Sequence, residues 1–325
     1  MIIIVSNRKV NAGAINETLF GEEPNQKGLD ELRLATAAYD DTQDRWHLEL
    51  LPEPPASQDY PPSQQLFEQV IRDIDAGKLT DDWVFFVHGF NQSFPENLHQ
   101  CHQLQQKYGV NIIAFSWPSN RGGVVTQEYR DARQAAQGSG NALDRTLEKL
   151  GRYMQIRAAQ LLRDSDITAG CNISLNLLAH SLGNYVIEAF IRQPIFNGET
   201  QVFDNVILHQ ADVDNRRHAE WLDQVNSKRI YVTLNERDKV LKASSWINSS
   251  RLGNTVDNLN GKRPLYMDFT GAKNVGDSHN LFLGVEGNPV LEEFCRQVLT
   301  GGRGEMIPQF QFIARNNTYR IIEVS

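Results

Sequence analysis

The sharpest chemical signal in this chain is Leu175-Asn176-Leu177-Leu178-Ala179-His180-Ser181-Leu182-Gly183-Asn184. An apolar run ends in Ala-His-Ser-Leu-Gly and gives way to a helical pattern. A serine that turns sharply from a strand into a helix needs small residues two places before it and two places after it, because the turn leaves no room for side chains. Ala179 and Gly183 meet that need. Such a turn holds the Ser181 hydroxyl at a helix N-terminus, where partial positive charge favours an oxyanion. The chemistry implied is nucleophilic attack on a carbonyl carbon. The plainer alternative is that Ser181 caps the helix that follows.

Chain order weighs between the two, since in strand–turn–helix hydrolases an acid and then a histidine follow the serine. The apolar stretch 229–234 runs into Asn235-Glu236-Arg237-Asp238-Lys239-Val240, which makes Asp238 the acid. Asp212, in His209-Gln210-Ala211-Asp212-Val213-Asp214, ends an earlier strand and is the runner-up; Asp214 also suits a helix cap. Three histidines follow Ser181. His209 lies inside a strand and His218 on a polar helix, whereas His279 sits in the loop after the last parallel strand, so His279 is the base. Its plain alternative is a solvated loop histidine. The oxyanion needs backbone donors. The stretch 83–87 ends in His88-Gly89-Phe90-Asn91, and Gly89 permits close approach, so the N–H groups of Phe90 and Leu182 are the donors expected. His88 is expected to brace that loop. Phe90, Phe94 and Trp117 are candidates for lining an acyl pocket, with ordinary core packing as the alternative.

These residues need a scaffold that brings distant strand ends together. Six apolar segments, at 83–87, 111–115, 173–178, 206–208, 229–234 and 265–269, alternate with helical patterns. Unbroken apolar runs suit strands buried on both faces of a parallel sheet. The alternation predicts a mostly parallel α/β sheet with helices on both faces, and sites in such sheets lie at the carboxyl ends of the strands. Helices are expected over 64–74, from Phe94-Pro95 to Tyr108, over 143–161, 182–191, 215–226 and 290–299.

Ahead of the core, residues 1–10 read as a β-branched strand, and two alternating stretches within 30–51 predict an antiparallel hairpin. Residues 52–63, rich in proline, read as a surface connector. The segment 121–140, with Gly122-Gly123, is either a partial lid or a plain helical connection. Residues 308–324 predict a C-terminal hairpin around Asn316-Asn317. The expectation is one domain over 1–325, with its core at about 80–300, an N-terminal β segment at 1–51 and annexed ends.

Composition narrows the function. With 40% hydrophobic and 22% charged residues the chain can bury an adequate core. Its net charge of −8 disfavours a nucleic-acid partner, which would require an excess of lysine and arginine. No apolar run approaches the ~20 residues of a membrane span, and the opening Met1-Ile2-Ile3-Ile4-Val5 is too short for a signal-peptide core. A mature, soluble, cytoplasmic protein is expected. Cys101, Cys171 and Cys295 lie far apart with no C-x-x-C pair, so neither zinc-ligand spacing nor a disulfide framework is present. The mechanism calls for no cofactor or metal, and no pattern here sets an oligomeric state.

Several motifs together resemble the alpha/beta-hydrolase superfamily, and within it a bacterial family of uncharacterised members. They are His88-Gly89-Phe90-Asn91, Phe115-Ser116-Trp117-Pro118-Ser119 and Ala179 to Asn184, with an acid turn at Arg237-Asp238-Lys239-Val240-Leu241 and an initial strand ending Val5-Ser6-Asn7-Arg8. The resemblance spans roughly residues 80–300. It implies the hydrolase sheet and a serine hydrolase acting on a carboxylic ester, of a small molecule or a lipid. It is silent on substrate: lipase or phospholipase, amidase or peptidase, and acyltransferase share the machinery. Two other classes stay open, a non-catalytic scaffold that binds a ligand or partner, and an interaction protein docking through its flanking β segments. The proline-rich stretch and the tail depart from the family pattern.

Overall fold

A computed structural model describes residues 1–53, 60–120, 125–163 and 173–322. The first part of the chain is mainly β: β1 (Ile2–Ser6), β2 (Arg8–Val10), β3 (Phe20–Pro24), β4 (Arg33–Asp40) and β5 (Arg45–Leu50). Alternation then begins with α1 (Pro62–Asp75), β6 (Asp82–Val87), α2 (Phe94–Tyr108) and β7 (Asn111–Ser116). Two successive helices follow, α3 (Val125–Gly138) and α4 (Gly140–Arg163), before β8 (Ser174–His180) and α5 (Gly183–Ile191). The rest comprises β9 (Asn205–His209), α6 (His218–Leu222), β10 (Arg229–Leu234), α7 (Lys239–Ile247), β11 (Pro264–Asp268), α8 (Pro289–Leu299) and the hairpin β12 (Phe310–Ile313) and β13 (Thr318–Ile321).

Eleven strands form one sheet in the order β12-β13-β11-β10-β9-β8-β6-β7-β1-β4-β5. From β1 to β11 across its middle all neighbours are parallel. The hairpin β4–β5 lies antiparallel at one edge, and β12–β13 closes the other, with β13 parallel to β11. The expected mostly parallel α/β sheet with antiparallel additions is therefore the fold. The first strand is more than an addition, however: β1 lies within the sheet between β7 and β4. Its run Ile2-Ile3-Ile4-Val5 is buried on both sides, which only an interior strand permits.

Two cores follow from strand alternation. Trp83, Phe85 and Val87 point to one face, where α3, α4 and α5 supply Ala135, Leu143, Leu147, Val186 and Phe190. Val84 and Phe86 point to the other, where α2 and α8 supply Leu98, Cys101, Leu104, Phe294 and Cys295. α2 begins in a full capping box between Ser93 and Glu96 and ends at Gly109 in the left-handed region, so its ends follow the sequence closely. α6 is shorter than the 215–226 pattern expected. The segment 121–140 is helical from Val125; residues 121–124, residues 54–59 of the connector and 323–324 of the tail lie outside the described residues.

Parallel register aligns the carboxyl ends. Val87 lies beside Ala179 and Phe115, His180 beside His209, and Leu234 beside Asp268. The loops after β6, β8, β9, β10 and β11 therefore leave the sheet on one edge, as the topology of open α/β sheets requires of a site.

Candidate active site

Ser181 stands between the end of β8 and the start of α5 with φ +53°. Left-handed backbone at a residue other than glycine is costly, and it persists only where the surroundings enforce it. Here the Ser181 N–H donates to the His209 carbonyl at 3.0 Å, and the Ser181 carbonyl accepts from Asp212 N–H at 3.2 Å and from Asn184 Nδ2 at 3.0 Å. Asn184 Nδ2 also donates to the Ala179 carbonyl at 2.9 Å, which ties the two ends of the turn. A Cβ on Gly183 would stand 2.5 Å from the His88 carbonyl oxygen and 2.6 Å from that of Val87, so only glycine fits.

His279 Nε2 lies 2.8 Å from Ser181 Oγ, and His279 Nδ1 lies 2.6 Å from Asp238 Oδ2. A carboxylate only accepts, so Nδ1 carries the proton and Nε2 accepts from the serine hydroxyl. Asp238 is fully buried at the N-cap of α7. Its Oδ1 accepts the N–H groups of Val240 at 2.9 Å and Leu241 at 3.0 Å, and its Oδ2 accepts Gln210 Nε2 at 3.0 Å. With His279, four donors and a helix N-terminus face one buried carboxylate, so both of its oxygens are hydrogen-bonded.

The loops of Asp238 and His279 are joined a second time by groups that sequence reasoning passed over. Thr233 Oγ1 accepts Gln210 N–H at 3.2 Å and His209 Nδ1–H at 3.0 Å, and donates to Gln210 Oε1 at 3.2 Å. His209 Nε2 accepts the N–H of Leu281 at 3.1 Å, and His180 Nε2–H donates to the carbonyl of His279 at 3.0 Å. Two histidines thus hold the backbone on either side of Asn280. Burial, reinforced by neighbouring His279, pushes His180 down to about 3 and His209 well below its usual value, so both are neutral clamps. Three histidines at the ends of adjoining elements were the available signal, but only strand register reveals that two of them serve the third.

The loop after β6 completes the surroundings. A Cβ on Gly89 would stand 2.9 Å from Ser181 Cβ, so the Gly89–Phe90 peptide runs directly past the serine. Among the described residues the N–H groups of Phe90 and Leu182 have no protein acceptor. The loop is held by residues of the second motif. Trp117 N–H donates to His88 Nε2 at 3.1 Å, Trp117 Nε1–H donates to the His88 carbonyl at 2.9 Å, and the two rings stack at 5.4 Å. Ser119 accepts Asn91 N–H through its carbonyl and Gln92 N–H through its hydroxyl. Arg8, fully buried, donates to the Gln92 carbonyl, Ser116 Oγ and Glu22.

The remaining expectations fare differently. Asp212 makes no contact with His279; its carboxylate accepts Ser244 Oγ at 2.7 Å and the Tyr129 hydroxyl at 2.9 Å, with Arg251 3.7 Å away. Phe90 is half-buried and meets Tyr129 edge to face. Phe94 and Trp117 are fully buried instead of lining an open pocket: Phe94 packs on Phe20 in one core, and Trp117 belongs to the other. Their positions after strands allowed a pocket or a core; both rings turn inward, and Trp117 also holds the loop through His88. A separate apolar cavity between α1, α4 and the sheet, lined by Leu66, Phe67, Phe85 and Leu150, shares no residue with the site.

Among the described residues no cluster of histidine, cysteine and carboxylate side chains could hold a metal ion, and no helix is long and apolar enough to cross a membrane. No curated protein and no solved structure matches the chain. A family model does match, over residues 64–265, a span that contains Gly89, Ser181 and Asp238 and ends before His279. That model describes alpha/beta hydrolases of unknown function (DUF900) and covers more than half of the chain, and the protein belongs to that family.

Proposed function

We propose that the protein is a serine hydrolase that cleaves a carboxylic ester through an acyl-enzyme. The observation that carries this reading is the unbroken hydrogen-bond chain Ser181 Oγ to His279 Nε2 and His279 Nδ1 to Asp238 Oδ2, at 2.8 and 2.6 Å. Its support is the strained serine turn and the two backbone N–H groups beside it that have no acceptor among the described residues.

In this mechanism Ser181 Oγ bonds to the carbonyl carbon as its proton passes to His279 Nε2. Asp238 keeps His279 in the tautomer that can take that proton, and its charge stabilises the imidazolium formed. The carbonyl oxygen becomes an oxyanion held by the N–H groups of Phe90 and Leu182. Collapse breaks the ester bond, and His279 returns the proton to the departing alkoxide. Water then attacks the acyl-enzyme, giving its proton to His279, and Ser181 leaves with that proton as the acid is released.

Labelling with a fluorophosphonate tests the reading, because such probes form a covalent bond with an activated serine. The wild-type protein should label and Ser181→Ala should not. A wild-type protein that stays unlabelled would favour the non-catalytic scaffold, and labelling that persists in the variant would move the nucleophile elsewhere.

A further inference from the structure

The outer face of α7 presents an unusual surface. Trp246 is 89% exposed, Ile247 56% and Val240 53%, three of the large apolar side chains the described residues leave in water. These three share one nine-residue helix with exposed Ala243. A tryptophan standing almost wholly in solvent is rare, and clustered exposed apolar groups mark contact surfaces. Between them stand Lys239 and Lys242, with Arg237 just before the helix, all exposed. Lys239 pairs with Asp277, while Arg237 and Lys242 have no ion-pair partner among the described residues. Glu236 and Asp277 lie beside them, so the three cations leave a small positive excess on a chain of net charge −8.

The helix borders the candidate site at its first turn. Asp238 caps it and accepts His279, and the Lys239–Asp277 pair lies two residues from His279. A surface that docks on α7 therefore meets the loop carrying the base. A short helix with tryptophan and aliphatic groups among lysines suits the boundary between anionic headgroups and acyl chains, where the indole and the lysines both find their preferred depth.

We infer that α7 is an interfacial docking face that seats the molecule on an anionic lipid surface, so that the ester drawn into the site is one presented by that surface. This rests on the proposed ester hydrolysis for its substrate, though not for its binding.

Binding is measured on Ser181→Ala protein by co-sedimentation with vesicles of phosphatidylcholine alone and of phosphatidylcholine mixed equally with phosphatidylglycerol. The protein should partition onto the mixed vesicles, with blue-shifted tryptophan emission, and much less onto the neutral ones. Adding Trp246→Ala and Ile247→Ala should weaken partitioning at least about tenfold, as removal of two inserted apolar side chains requires. Lys242→Glu should weaken it on the mixed vesicles only. In protein that retains Ser181, the Trp246→Ala/Ile247→Ala variant should cleave a soluble short-chain ester as wild type does and lose turnover of an ester embedded in the mixed vesicles.

Absence of partitioning, or partitioning that survives the double substitution, overturns the inference. So does a dimer in solution that the double substitution dissociates, which would assign the face to a second copy of the chain. Partitioning without hydrolysis of any ester would leave the docking face standing and remove the proposed function instead.

Discussion

Gly89 and Ser181 approach so closely that a Cβ on the glycine would lie 2.9 Å from that of the serine and 3.2 Å from the His180 carbonyl oxygen. The φ of Gly89 is not in the left-handed region, so it is this approach and not backbone conformation that excludes a larger residue. Gly89→Ala must push the loop away from Ser181, and with it the N–H of Phe90. The expected result is a loss of about 100-fold or more in kcat, the scale of one oxyanion donor, with a stability cost of only about 1–3 kcal/mol. Steady-state kinetics on a soluble ester and urea unfolding measure both. An active variant of wild-type kcat would remove Phe90 from the site.

The two candidate acids separate in one comparison. In Asp238→Asn the side-chain oxygen can still accept Val240 and Leu241 N–H, but the new amide donor faces Gln210 Nε2–H and His279 Nδ1–H. His279 then favours the tautomer that cannot take the serine proton, and kcat should fall by about 10⁴. Asp212→Asn disturbs Tyr129 and Ser244, neither of which touches His279, and kcat should stay within about tenfold. The reverse order of effects would transfer the role to Asp212.

How far the sequence foretold this is clearest at those two carboxylates. Both follow strands that end on the same edge, so spacing alone ranked them without separating them. What separates them is that the turn after β10 faces the loop after β11, a neighbour relation between parallel strands that no local pattern encodes. The meeting of Ser181 with His279 was legible because a tight turn restricts its flanking residues and because chain order left a single histidine after the last parallel strand. Gln210, His209 and His180 were not, since their partners lie across strand register. The inward turn of Phe94 and Trp117 was likewise a tertiary choice, as an aromatic ring after a strand serves a pocket or a core equally well.

The buried histidines make stability depend on pH. His180 is pushed down to about 3, and His88 and His209 well below 6.5, in each case chiefly by burial. In the unfolded chain they protonate near 6.5, so below that pH the unfolded state binds more protons than the folded one. Stability is therefore complete above about 6.5 and falls as pH drops toward the folded values, by up to about 1.4 kcal/mol per pH unit for each histidine. Urea unfolding at a series of pH values measures the slope. His180→Gln keeps a donor for the His279 carbonyl and removes one titrating group, so its slope between pH 6 and 5 should be shallower by about that amount. An unchanged slope would mean that His180 is accessible to protons in the folded protein.

The Arg8–Glu22 pair offers a prediction of sign. Arg8 is fully buried, and its guanidinium donates to Glu22 at 2.5 Å, to the Gln92 carbonyl at 2.7 Å and to Ser116 Oγ at 3.0 Å. Glu22, about one-third exposed on its side chain, also accepts Phe94 N–H at 3.0 Å. Glu22→Ala takes from a buried cation its paired counter-charge and leaves only the more distant Glu96, a state that costs more than having neither partner. With Glu22 about one-third exposed, that single variant should lose about 2 kcal/mol, below the range of a fully buried pair. Adding Arg8→Met replaces the stranded charge with an apolar side chain of similar length, so the double variant should be more stable than Glu22→Ala alone. Its kcat should nevertheless fall below wild type, because the Gln92 carbonyl on the loop carrying Phe90 loses the Arg8 donor and keeps only Ser119 Oγ at 3.2 Å. Urea midpoints and kcat on the four proteins of the cycle separate the two effects. A double variant less stable than Glu22→Ala would show that the contacts of Arg8 to the loop outweigh the burial of its charge.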